Sequence, residues 1–204
     1  YAASVNVGIK VLSNCDAVII LDCDAYPLMD ITPVVTEAFA RSPTLGVIAM
    51  SETGETGTSH ISGSAEPTAT QFILGQSLTA TICNRRVGLK SRFVAHSCCC
   101  VVRQRAFDNV NGFDELFDFL DADIDFSMRI MAAGWEVKPF PSLLCFHKGS
   151  GSPQSTRKRV LRFHRNRYLL LCKHRKIRNP WVIILFLSIR HIAEIAALSC
   201  AWLI

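Results

Sequence analysis

At 204 residues the chain can bury a full-sized core, and with half its residues apolar and 19% charged it is not an intrinsically disordered protein. The net charge of +5 conceals an asymmetry: fifteen of the seventeen acids precede residue 126, whereas ten of the twenty-two lysines and arginines crowd into Arg157–Arg178, which holds no acid. The front part suits cations, and the basic segment suits phosphates, lipid headgroups or nucleic acid.

Nine cysteines without a CxxC pair, three of them consecutive (Cys98, Cys99, Cys100), read as buried thiols of a reducing compartment rather than a disulfide framework or a zinc site. The opening Tyr1-Ala2-Ala3-Ser4-Val5 reads as the inside of a helix over residues 2–12, so further chain is expected upstream. Asp16–Leu21 is a short apolar run that suits a strand covered on both faces. It ends in the polar turn Asp22-Cys23-Asp24-Ala25-Tyr26-Pro27. Thr32-Pro33 opens a helix with Thr32 as cap, and Ser42-Pro43 breaks it before a strand at Leu45–Met50. Strand, helix and strand in that order predict a βαβ unit with parallel strands.

Ser51–Ala65, rich in Ser, Thr and Gly, reads as a mobile loop over an active site. Residues 68–83 suit helix and strand equally. Phe93–Val102 predicts a third strand and Arg103–Val110 a short helix ended by Asn111-Gly112. Asp121–Ala133 predicts a helix capped by Gly134, followed by a strand at Trp135–Pro139 and an apolar run at Leu143–Phe146. A long basic helix starts at Ser155 or Thr156 and runs to about Arg175. The division expected is a catalytic domain over 1–153, with the basic helix and an apolar helical tail over 154–204. The tail interrupts its apolar run with Arg190, His191 and Glu194, so an in-plane or core-packed helix is expected rather than a span. The preceding basic run suits the anionic inner face of a membrane.

Four groups carry chemistry. Asp22 and Asp24, at positions i and i+2 of an extended segment, point the same way and can share one Mg2+ or Mn2+. Asp121, Asp123 and Asp125 crowd a helix start, where repulsion tunes a base. Arg129, four residues on, can pair with Asp125, which leaves Asp123 free to face a substrate. His147, before the loop Lys148-Gly149-Ser150-Gly151-Ser152, offers a metal ligand beside a phosphate-friendly turn. The basic helix (Arg157, Lys158, Arg159, Arg162, Arg165, Arg167) lacks an aromatic stacking pattern, so pyrophosphate or acidic lipid suits it better than nucleic acid.

Over about residues 1–180 the order of these motifs resembles family 2 glycosyltransferases of the rhamnosyltransferase-like group. The matching stretches are YAASVNVGI, VIILDCDAYP, SCCCVVRQRAFDNVNGFDE, FLDADIDFSMRIMAAGWEV, HKGSGS and HRNRYLLL. The resemblance implies the α/β GT-A fold, a mixed, mostly parallel sheet flanked by helices, with C-terminal helices. It implies inverting transfer of a sugar from a nucleotide-diphosphate donor to an acceptor hydroxyl; a glycan or lipid-linked acceptor, a role in cell-surface polysaccharide or glycolipid synthesis, and a cytoplasmic location that extends to the inner face of the membrane are the accompanying expectations. Asp22, Asp24 and His147 would hold the divalent cation, and Asp123 would be the base. Asp22, Asp121, Asp125, Arg129, Arg165 and Asn166 would contact substrate. Ala122 stands where the family has Glu, and Asn111-Gly112 keeps one Gly of its turn, so Asn111 is expected in the left-handed region. The first strand of the fold is expected upstream. A sugar-nucleotide nucleotidyltransferase and a non-catalytic basic module binding membrane or nucleic acid are the alternatives.

Overall fold

The computed structural model describes residues 1–12, 14–69, 71, 92–117, 119–149, 155–174 and 179–201. It divides into two compact units, residues Tyr1–Glu66 with Ser91–Pro153, and Pro67–Lys90 with Gln154–Ile204.

In the first unit, α1 (Ala2–Val11) leads to β1 (Ala17–Leu21) and the three-residue β2 (Ala25–Pro27). Helix α2 (Thr32–Arg41) has Pro33 in its first turn, as expected, but Thr32 is its first residue and not its cap. Asp30 does the capping work, its Oδ1 accepting from the Thr32 amide at 2.9 Å. Strand β3 runs Leu45–Thr53, longer than the expected Leu45–Met50. The expected loop that follows is partly ordered as β4 (Ser59–Ile61) and β5 (Gly63–Ala65). The single strand expected at Phe93–Val102 is two, β6 (Phe93–Ala95) and β7 (Cys99–Arg103), with a break at His96-Ser97-Cys98. Short α3 (Gln104–Asn109) and α4 (Ala122–Ala132) follow, then β8 (Glu136–His147), one strand that spans both of the apolar runs expected there.

The main sheet has the order β1-β7-β3-β8-β2, with β4 pairing with β3 beyond the end of β7. It is mixed, as expected. Of its described ladders, β3–β8 is parallel, while β1–β7, β3–β7, β3–β4 and β2–β8 are antiparallel. The predicted parallel relation of β1 and β3 holds in direction only, because β7 lies between them. The expectation of mostly parallel pairing is corrected accordingly. The β3–β8 register slips by three residues between Met50↔Phe140 and Ser51↔Leu144, where Pro141 interrupts the ladder. β5 and β6 form a separate ribbon.

One face of the sheet packs Ile48, Met50, Val101 and Leu143 against Val35 of α2 and Ile31 just before it. Helices α3 and α4 pack on β3, β7 and β8. There Phe113 stacks on Phe126 with ring centroids 4.3 Å apart, and Phe107 tilts against both. Asn111 is left-handed at φ 57°, as its position before Gly112 predicts. The turn is held from α1: the buried Asn6 donates to the Phe113 carbonyl and accepts from the Phe113 amide, at 2.9 and 2.8 Å.

The second unit contains α5 (Thr156–Lys173) and α6 (Pro180–Ala201), which pack on each other. Ser155 caps α5, its side chain accepting from the Lys158 amide. No helix of the described residues is long and apolar enough to cross a membrane. The undecided stretch 68–83 lies outside the described residues apart from 68, 69 and 71, as do Ser150, Gly151 and Ser152 of the glycine-serine loop.

Candidate active site

The apolar β1 delivers Asp22 to the edge of the sheet, where its amide donates to the Cys98 carbonyl at 3.1 Å. The chain then turns, Ala25 N donating to Asp22 O, and returns as β2 against the end of β8. That register sets Ala25 opposite His147, and the Lys148 amide donates to the Asp24 carbonyl. Pairing of β2 with β8 is therefore what brings the imidazole to the two aspartates. His147 Nε2 lies 3.6 Å from Asp22 Oδ2 and 3.5 Å from Asp24 Oδ1. These separations exceed a hydrogen bond. They approach the spacing of neighbouring ligands on one small cation, roughly 3 Å for metal–oxygen bonds of about 2.1 Å.

The other imidazole nitrogen is occupied. His147 Nδ1 donates to Glu52 Oε2 at 2.7 Å, so the Nε2 lone pair is left to face Asp22 and Asp24. Glu52, next to last in β3, is buried. It also accepts from the Cys98 thiol at 3.4 Å, and His60 Nε2 approaches its Oε1 at 3.0 Å. Burial pushes the Glu52 carboxyl up, but the hydrogen bonds from His147 and Cys98 and the facing His60 outweigh it and hold the group below its usual range. Asp22 moves the other way. Burial raises it, the charges of Asp24, Asp123 and Glu52 raise it further, and His147 offsets only part. Two carboxylates and an imidazole with a carboxylate behind it make a hard, mostly oxygen donor set suited to Mg2+ or Mn2+.

Asp123, in the first turn of α4, reaches the same place from the other side of the β6–β7 break. Its Oδ2 accepts from the Ser97 amide at 3.4 Å and its Oδ1 from the Ile124 amide at 2.9 Å. Ser97 holds Asp123 and the adjacent Cys98 holds Asp22, so the two acidic stretches meet across one dipeptide. The loop entering α4 is strained, with Phe119 at φ 74° and Asp121 at φ 61°, both left-handed without being glycine. Tyr1 packs edge-on to Phe113 and Phe119; burial pushes its hydroxyl pKa up, and the nearby Asp123 and Asp22 charges add to that.

A family model described as glycosyl transferase family group 2 matches residues 17–204. The chain belongs to that family. Within this family 2 chain, three of the residues expected to contact substrate, Asp125, Arg129 and Asn166, lie largely in the interior. Asp125 is wholly buried and bound to Arg129 at 2.7 Å, and Arg129 also donates to the Val110 carbonyl at 2.8 Å. The pair fastens α4 to the turn after α3. Asn166 on α5 is wholly buried as well, whereas its neighbour Arg165 is exposed. Ala122 faces the interior at 1% exposure, and Asp121, half-buried, precedes it as the residue before the helix.

Comparison with curated proteins finds no match. Among solved structures, a mannosyltransferase from Pyrobaculum calidifontis, in complex with GDP-Man and Mn2+, is 12% identical with a TM-score of 0.46. The family 2 chain is covered in full and spans 60% of that protein's length. A structure assigned as a glucose-1-phosphate thymidylyltransferase from Bacillus anthracis, in complex with sucrose, is 14% identical at a TM-score of 0.36, covering 71% of this chain and 54% of that one. Both scores lie below one half, too low to favour one activity over another.

Proposed function

We propose that this family 2 chain moves a sugar, with inversion, from a nucleotide-diphosphate donor to a hydroxyl of a glycan or lipid-linked acceptor. The observation that supports it is the meeting of Asp22, Asp24 and His147 with Asp123 across Ser97-Cys98. Held by Asp22, Asp24 and His147, a Mg2+ or Mn2+ ion would neutralise the donor diphosphate.

The remaining chemistry belongs to the chain. Glu52 keeps the His147 proton on Nδ1 and so fixes the imidazole's orientation. Asp123, anchored through both carboxylate oxygens, takes the proton of the acceptor hydroxyl as that oxygen bonds to the anomeric carbon. The bond from that carbon to the diphosphate oxygen breaks, and its electron pair leaves with the nucleotide. One displacement with one base inverts the centre. Asp121 is placed to meet the acceptor, and Arg165 offers positive charge to phosphate or lipid headgroups. The exposed Trp181, Leu185, Phe186 and Ile189 of α6, in the same unit as basic α5, suit peripheral contact with an anionic membrane face, and so a place in cell-surface polysaccharide or glycolipid synthesis.

Asp123→Asn tests the assignment. Sugar transfer, followed by mass spectrometry over a panel of nucleotide sugars, is expected to fall by about 10²–10⁴-fold, while Mn2+ and nucleotide affinity stay unchanged. Turnover at the parent rate would remove Asp123 from the base role.

A further inference from the structure

Beside Asp22, Asp24 and His147 stands an aromatic surface that the proposed chemistry does not use. β2 pairs with β8 so that Ala25 lies opposite His147 and Tyr26 opposite Phe146. Side chains opposite one another in a ladder share a face, and successive ones alternate. Ala25 and Cys145 pack into the core on the α2 side. Tyr26 and Phe146 therefore stand on the other face of the sheet, the one that carries α4 with Asp123 in its first turn.

The two rings stack with centroids 5.1 Å apart and planes 27° from parallel. Phe146 backs one face of the Tyr26 ring, and Tyr26 is still 54% exposed. Leu28 and Met29, which follow it, are exposed as well, so the apolar surface is a patch and not a lone residue. The backbone beneath the ring is fixed. The Ala25 amide donates to the Asp22 carbonyl at 3.0 Å and the Leu28 amide to the Leu144 carbonyl at 2.9 Å, with Pro27 between them. A rigid tyrosine offers a large contact area at little cost in conformational entropy.

The face of an aromatic ring carries partial negative charge. It attracts the C–H side of a sugar ring, whose hydroxyls stay in water around the rim. An alkyl chain gains most in an enclosed groove, so an open ring face on an edge strand fits a sugar better. We propose, on the sugar-transfer reading above, that Tyr26, braced by Phe146, is a stacking platform for a sugar of the acceptor. Asp123 is held at Ser97, at the entry to β7, and Tyr26 lies on β2, three strands across the sheet. At about 4.8 Å per strand the separation is roughly 14 Å, more than one sugar ring spans. The sugar on Tyr26 is then a different one from the sugar whose hydroxyl Asp123 deprotonates, and the acceptor is an oligosaccharide.

Titrations of the whole chain followed by saturation-transfer NMR test it, with Mn2+ present and the di- and tetrasaccharides of the malto, cello, manno and chito series as probes. In at least one series the tetrasaccharide should bind the parent about three- to tenfold more tightly than the disaccharide. Tyr26→Ala should erase that gain. Tyr26→Phe and Tyr26→Trp, which keep a ring, should retain it, and all three should keep the parent Mn2+ affinity. In transfer assays the loss should fall on the acceptor KM and not on kcat. Binding is read without turnover, so a parent that holds the tetrasaccharide through Tyr26 yet transfers nothing would sink the transferase reading and leave the platform standing. Equal binding by the parent and Tyr26→Ala, no tetrasaccharide bound in any series, or dodecyl maltoside bound where maltotetraose is not would each overturn the platform.

Discussion

Glu52 touches neither of the paired aspartates, yet it should govern cation binding through His147. Glu52→Ala removes the acceptor 2.7 Å from His147 Nδ1 and the carboxylate faced by His60 and Cys98. The ring is then free to rotate or change tautomer, and its Nε2 lone pair no longer points steadily at Asp22 and Asp24. Loss of such an orienting carboxylate costs roughly 10–100-fold in metal affinity. At about 1.4 kcal/mol per factor of ten, that is about 1.4–2.7 kcal/mol. Glu52→Gln keeps the volume and one accepting oxygen but loses the charge, and should fall at the small end of the range.

Calorimetric titration with Mn2+ at pH 7.5 reads the effect, and circular dichroism checks the fold. The pH dependence of stability adds a second reading. The Glu52 carboxyl is held below its unfolded value, so its stabilising contribution is present above that value, about 4.3, and fades as pH falls through the folded value. The Tm gap between parent and Glu52→Gln should therefore close below about pH 4. A folded Glu52→Ala protein with parent Mn2+ affinity would refute the reasoning.

Asp22 should show the opposite sign. Its raised carboxyl favours the folded state below the unfolded pKa, and that contribution is lost as pH rises through the folded value. With a chelator present, Asp22→Asn should raise Tm at pH 7–8 and lose that advantage near pH 4, as thermal melts would record. Gly112→Ala should destabilise by about 2 kcal/mol or more in urea, because the added Cβ would lie 2.5 Å from Asn6 Oδ1 and 2.7 Å from Phe107 Cζ at a φ of +70°. Asp125→Ala strands the part-buried Arg129 and should cost about 3–5 kcal/mol by urea denaturation, while Asp125→Leu combined with Arg129→Met should recover much of it.

The elements legible in the sequence were those with a clear apolar period: α1, β1, α2 and α4 lie within a residue or two of expectation. β2, β4 and β5 were not, since three residues of mixed polarity carry no period and form only because β8, β3 and β6 offer edges to pair with. The structure brings Asp22, Asp24 and His147 together with Asp123 nearby, all residues marked by their type and placement. Glu52 escaped notice because a lone glutamate near the end of an apolar strand looks like a solvated end. Its meaning comes from a parallel neighbour ninety-five residues away. The pairing of Asp125 with Arg129 was legible from their i,i+4 spacing, whereas the complete burial of Asp125 was not, because it comes from packing that a helical period does not reveal.

The three-residue slip between β3 and β8 carries a constraint of its own. Side chains alternate across a strand, so an odd number of extra residues reverses the parity of everything downstream. Cys145 and His147 owe their facing to residues 141–143, the three that the slip adds to β8. A descendant of this chain that lost a single residue there would keep every acid and the histidine in its sequence, yet turn the imidazole to the opposite side of the sheet. Length between Phe140 and Leu144, more than composition, is what selection at this edge has to watch.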